Sequence, residues 1–231
     1  MATLSDSAKI ARQLASTSAT GLTTTLVVDF SNYASMKLRK MLIDKGIDAC
    51  PVQESTKTLV DGQGTYLYPA DMFYVPKYVE INWWTPSDQS LWVQTDKVAE
   101  SNLLPNKGIS WLRKNQSASK PLIDYRGDYY EILPTPLASF RTLTNALRIF
   151  YYLQPTLYTA LTDTMTYPES LDYFSFGELV KNLYLYSLEK ITKDDMEKSF
   201  IQEVGKLVSI IQGDGSSPTR AKGLRLTGFE F

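Results

Sequence analysis

Hydrophobic spacing changes period twice along this chain, and that change limits the fold more than any single motif. Near the C-terminal end Met196, Phe200, Val204, Leu207, Val208 and Ile211 recur at intervals of 4, 4, 3, 1 and 3, one face of a 3.6-residue helix. Ahead of that run, Thr192 with Asp195 three residues later predicts a capping box in which Asp replaces Glu. After Pro168, Leu171, Phe174, Leu179, Leu183 and Leu188 fit a second helical face. At the other end, residues 5–16 place Ile10 and Leu14 four apart beside Ala8 and Ala11. Residues 17–25 are rich in Ser, Thr and Gly and read as a linker. Residues 27–45 carry Ala34, Leu38, Met41 and Leu42 on one stripe, and Gly46 is the natural stop.

Between these helical ends the period becomes two. Residues 57–60 and 65–68 flank Asp61-Gly62-Gln63-Gly64, the pattern of a hairpin. Residues 77–84 alternate, with Trp83 and Trp84 on opposite faces; a turn at 85–88 leads into a returning strand at 90–95. Residues 96–103 suit a brief helix, and the polar stretch 106–119, with Trp111 and Leu112 near its centre, suits a loop or exposed hairpin. Residues 122–125 and 129–133 predict a hairpin around Arg126-Gly127-Asp128, and 146–153 a strand ending in Tyr151 and Tyr152.

The expected fold is therefore α+β. Isolated helices of this length are marginal in water, so the two ends should pair as an antiparallel bundle (residues 1–55 and 156–212). A β-rich domain (56–155) is inserted between them, and an extended arm (213–231) follows. The arm has too few apolar residues to order alone and should order on a partner. Fully extended, its 19 residues reach roughly 60 Å.

Composition narrows the chemistry. The chain has no histidine, so the commonest general base and metal ligand is missing. Its lone cysteine, Cys50, reads as a small buried hydrophobe. No phosphate loop, dinucleotide fingerprint, nucleophile elbow or zincin helix is present. Arg126-Gly127-Asp128 reads as a turn, and the Asp194/Asp195 and Asp124/Asp128 pairs do not converge in sequence. The expectation is a non-enzymatic protein without cofactor or metal. The 24 basic and 25 acidic side chains leave a net charge of −1, which does not oppose self-association. No stretch approaches the roughly 18 apolar residues of a membrane span, and residues 1–14 lack an apolar secretion signal.

Several segments, taken in order, resemble one family. Residues 24–42 (TTLVVDFSNYASMKLRKML) resemble an early helix. Thr58-Leu59-Val60 with Gly64-Thr65-Tyr66-Leu67-Tyr68-Pro69-Ala70-Asp71 resembles a threonine strand followed by Tyr-x-Leu-Pro-x-Asp, with Tyr68 where Leu is usual. Tyr129-Tyr130-Glu131-Ile132-Leu133-Pro134-Thr135-Pro136 resembles a strand ending in Pro-x-Pro. Leu147 to Pro155 (LRIFYYLQP) resembles a strand ending in Tyr-Tyr-x-x-Pro, and 167–188 the helix after it. Across residues 5–212 the chain resembles the head-to-tail adaptor (connector) family of tailed bacteriophages. The resemblance implies a virion protein in a dodecameric ring beneath the portal protein. It further implies contacts to tail, nozzle or neck proteins, and double-stranded DNA passing through the lumen unread. The residues expected to meet partners are Arg220, Lys222, Leu224, Arg225, Leu226, Phe229 and Phe231 in the arm, with Trp111, Arg113 and Lys114 in the polar stretch. Two other readings stand beside it: a different neck or tail-completion protein, and a carbohydrate- or receptor-binding module built on Trp83, Trp84, Trp92 and Trp111.

Overall fold

The structure, a computed structural model, describes residues 2–99, 108–136 and 142–213. The chain divides into two compact units, one of Met1–Cys50 with Pro155–Phe231 and one of Pro51–Gln154.

In the first unit, α1 (Leu4–Leu14) buries Leu4, Ser7, Ala8 and Ala11, a face of small side chains. That face lets α1 lie close on α4 (Tyr173–Ser187), where Gly177 passes under Ser7 and Ile10. A Cβ on Gly177 would stand 2.9 Å from the Ser7 carbonyl oxygen. The second helix, α2 (Thr24–Asp44), is capped by Thr23, whose hydroxyl accepts from the Leu26 amide at 3.4 Å. It meets both α4 and α5 (Lys193–Gly213). Thr192 caps α5: its hydroxyl accepts from the Asp195 amide, and the Asp195 carboxylate accepts from the Thr192 amide, both at 3.2 Å.

These helices do not make the antiparallel bundle expected from the two chain ends. The reason lies in the irregular segment 155–172, which takes space a bundle would give to helix. It bridges to α1 through Thr3 and Thr164. It docks on α2 through Asn32, whose side chain both donates to the Tyr158 carbonyl (2.9 Å) and accepts from the Tyr158 amide (2.7 Å). Its short 3-10 turn, Glu169–Leu171, inserts Glu169 beside Arg39 of α2. The helices are thus dispersed around α4 and an irregular strap, and the class is mixed α+β.

The second unit holds two four-stranded sheets. One has the order β1 (Val52–Leu59), β8 (Leu143–Leu153), β3 (Met72–Ile81), β4 (Val93–Gln94). The other has β2 (Thr65–Leu67), β7 (Tyr129–Leu133), β6 (Leu122–Arg126), β5 (Asp96–Lys97). In the first, Ile149 of β8 lies between Ser55 of β1 and Val79 of β3. One core draws on both sheets: Leu59, Val79, Ile81, Trp83 and Ile149 pack with Tyr66, Ile123, Tyr130 and Ile132. β3 carries an irregularity around Pro76, and Tyr74 within it takes a left-handed φ of 70°.

Several sequence expectations need correction here. The strands flanking Gly62 do not form a hairpin: β1 pairs with β8 and β2 with β7. Gly62, at a φ of 74°, turns the chain from one sheet to the other, and its amide donates to the Pro136 carbonyl at 2.9 Å. Asp96 and Lys97, expected to start a helix, instead pair in parallel with Leu122 and Ile123. The stretch 106–119, expected as a loop or exposed hairpin, contains a short helix, α3 (Ile109–Asn115). Leu171, Phe174 and Leu188 are exposed; α4 buries Leu179 and Leu183 as expected, and Phe176 and Val180 complete its buried face. Leu14 is also exposed. The Arg126-Gly127-Asp128 hairpin forms, with Leu122 opposite Leu133 and Arg126 opposite Tyr129.

Candidate partner-binding surfaces

Three of the residues expected to meet partners fall on α3. Helix α3 sits on β7 over a small apolar cluster of Leu112, Leu122 and Leu133, flanked by Val98 and Ile109. Gly108 precedes its first turn, and its end is closed by the Gln116 amide donating to the Leu112 carbonyl at 3.0 Å. So little apolar area cannot hold a seven-residue helix alone. The second anchor is electrostatic: the Arg113 guanidinium spans both oxygens of Glu131, donating from Nε to Oε1 and from Nη2 to Oε2 at 3.1 Å. Glu131 is buried, so this pair satisfies a carboxylate taken out of water. The hydrogen bonds and charge of Glu131 raise the already high Arg113 pKa further.

Arg113 is therefore committed to holding α3 on the sheet. Trp111 and Lys114 are exposed and remain on the outer side with Asn115. The other expected residues, Arg220, Lys222, Leu224, Arg225, Leu226, Phe229 and Phe231, lie outside the described residues.

Sequence spacing did not reveal the larger exposed apolar features. Tyr167, Leu171, Tyr173 and Phe174 all stand exposed at the entry to α4. In the β-rich unit Leu67 and Tyr129 are exposed side by side on β2 and β7 and line a shallow cleft with Thr65 and Tyr66. Contiguous exposed apolar side chains mark contact surfaces. Hydrophobic period alone carries a helix through residue 172 and puts Leu171 and Phe174 on its core face; Asp172 in fact caps α4, accepting from the Ser175 amide at 3.1 Å. The density of Tyr in 167–174 was the available signal.

The ridge at 167–174 is fixed by a buried ion pair. Arg39 (3% exposed) donates from Nε to Glu169 Oε1 (3.0 Å) and from Nη2 to Oε2 (2.7 Å); Glu169 is 1% exposed. Arg39 Nε is shared with Ser35 Oγ (3.2 Å), Nη1 donates to the Ala49 carbonyl (2.6 Å) and Nη2 also to Thr166 Oγ1 (3.0 Å), and Ser35 donates to Glu169. Cys50 is buried beside this network; burial pushes its thiol pKa up, with Arg39 pulling partly the other way. It is a thiol in a packed site.

The tryptophans divide by environment. Trp83 is buried in the core, and Trp84 is exposed. Trp92 lies under the Arg148 guanidinium, 3.8 Å from the ring centroid, and Arg148 also pairs with Glu54 at 3.3 Å. Among the described residues no three His, Cys, Asp or Glu side chains converge as metal ligands, and no helix is long and apolar enough to cross a membrane.

No protein-family model matches the chain, and a search of curated proteins finds no match.

Proposed function

We propose that this chain is a structural protein of a phage virion, a head-to-tail adaptor that joins the portal protein to tail, nozzle or neck proteins. The observation that carries the reading is the ordered series of segments between residues 5 and 212, above all 58–71, 129–136 and 147–155, which resemble the adaptor family in both order and spacing. In this reading twelve copies close a ring around the channel, and double-stranded DNA passes without sequence recognition. The chain acts by contact and carries out no reaction. Rings require heterologous contacts, in which one face of a subunit meets a different face of the next. Exposed apolar side chains at 167–174 and at Leu67 and Tyr129 supply two such faces, one on each unit. Trp111, Lys114 and the segment 214–231 are further contact points in this proposal.

Mass photometry of the portal from the same phage, mixed with this chain, tests the reading. The expected result is added mass in steps of the 26.1 kDa subunit, accumulating toward twelve copies. Absence of co-assembly at every salt and concentration tried would overturn it. Cross-links from Lys222 separate the adaptor from another neck or tail-completion protein, since only the adaptor carries that segment to the portal. A lectin-like platform is disfavoured by Trp83 being buried and Trp92 being covered by Arg148.

A further inference from the structure

The apolar stripe of α5 contains an acid. Glu203 lies three residues after Phe200, immediately before Val204 and four before Leu207, all buried, and is itself 4% exposed. Its side chain enters a 180 Å³ cleft between α4 and α5, lined also by Ser175, Glu178, Asn182, Ser199 and Lys206. The apolar neighbours lower the polarity around the carboxyl, which disfavours its charged form.

The groups facing Glu203 are of mixed sign. From α4 and its cap come Asp172, Glu178 and Lys181. From α5 comes Lys206, whose Nζ is 3.7 Å from Glu203 Oε2. Lys206 is shared, because it also donates to Ser175 Oγ at 3.1 Å, and Ser175 in turn donates to Asp172 at 2.7 Å. On α2, which also packs on α5, Lys37 is held by Glu197 at 2.5 Å and lies 4.5 Å from the Phe200 ring centroid. Ionising Glu203 thus adds a carboxylate to the charge of Asp172 and Glu178 already felt there, against Lys181 of the cleft lining and a Lys206 that is shared with Ser175 and partly solvated.

We propose that Glu203 is a proton-operated latch between α4 and α5: protonated, it seats α5 against the first turns of α4, and ionised, it loosens that seat. Helix α5 runs directly into residues 214–231, so the latch sets the position from which that segment departs. The inference goes beyond the adaptor reading and does not rest on it.

The direction of the pH effect follows from the carboxyl. Burial first, then the charge of Asp172, pushes its pKa from 4.5 up to about 7. The seated helix therefore holds a proton that the opened helix releases. Seating is complete below the ordinary carboxylate range and is lost as pH rises toward 7. Between these limits the opening equilibrium of α5 climbs by up to about tenfold per pH unit and then levels off.

Amide hydrogen exchange of the full chain, corrected for intrinsic rates, reads this directly. Peptides covering 196–212 should open progressively from pH 5 to pH 7, while peptides from β8 stay flat. In Glu203→Gln the 196–212 peptides should stay closed across that range. Protection independent of pH in the wild type, or an unchanged slope in the variant, overturns the proposal. Should the variant fail to fold, carbon-detected titration of the wild-type Glu203 carboxyl decides it: a midpoint near neutrality supports the latch, and one near 4.5 overturns it.

Discussion

Replacing Glu169 by Ala tests whether the strap 155–172 is held by one buried ion pair. In the wild type the Arg39 guanidinium makes two hydrogen bonds to Glu169 and three to Ser35, Thr166 and the Ala49 carbonyl, all away from water. The substitution removes the two charge-assisted bonds and strands a cation in a site only 3% exposed. Removing one partner of such a pair costs about 3–5 kcal/mol. At a urea dependence of about 2 kcal/mol per molar, that moves the midpoint down by about 1.5–2.5 M. The assay follows from the placement of tryptophan: Trp83, Trp84, Trp92 and Trp111 all lie in the unit 51–154. Fluorescence therefore reports the β-rich unit, and far-ultraviolet circular dichroism reports the helical one. The helical transition should shift and the fluorescence transition should hold. Arg39→Met combined with Glu169→Leu should recover to within about 1 kcal/mol of wild type, because no charge is then left buried. A loss below about 1 kcal/mol for Glu169→Ala, or a double variant no better than the single, would refute the reasoning.

Further predictions concern packing and protonation. Gly177→Ala places a methyl 2.9 Å from the Ser7 carbonyl oxygen and 3.0 Å from Ile10, so the circular-dichroism midpoint should fall, by about 1–3 kcal/mol. Gly205→Ala in α5 meets nothing within 4 Å and should raise stability by about 0.5–1 kcal/mol in the same assay. Arg113→Ala leaves Glu131 buried with only Arg126 at 4.0 Å, and the solvent-screened Arg113 side should limit the loss to about 1–2 kcal/mol by tryptophan fluorescence. Tyr125 is pushed up to about 12, by burial first and then by Tyr68. It stays protonated in the fold above the ordinary tyrosine pKa of about 10. The β-rich unit should therefore lose stability as pH rises from about 10 toward 12, with Tyr125→Phe showing a shallower loss.

The parts of the fold legible in the sequence were those set by local period or local turn chemistry. The capping box at Thr192 and the hairpin at Arg126-Gly127-Asp128 depend on residues within a few positions of one another. So does the contrast between Trp83, which ends a buried run, and the exposed Trp84. What escaped was decided by distant partners. No spacing rule links Arg39 to Glu169, 130 positions apart, so the strap that displaces a bundle was invisible. The strands on either side of Gly62 look like partners in sequence, yet β8 offers β1 a longer ladder than β2 can. Glu203 is invisible to spacing because a polar residue within an apolar stripe carries no periodic signal of its own. At the candidate surfaces, Trp111 and Lys114, expected to meet partners, are exposed, Arg113 is engaged with Glu131, and Leu171 and Phe174, expected on a helical core face, are exposed.

An electron cryo-microscopy map of the assembled phage particle tests the central claim most directly. The adaptor account predicts this chain as a closed ring immediately beneath the portal, with its two four-stranded sheets recognisable in each subunit and the channel open for DNA. Density for the chain at the capsid shell or tail tip, or none in the particle at all, would contradict it.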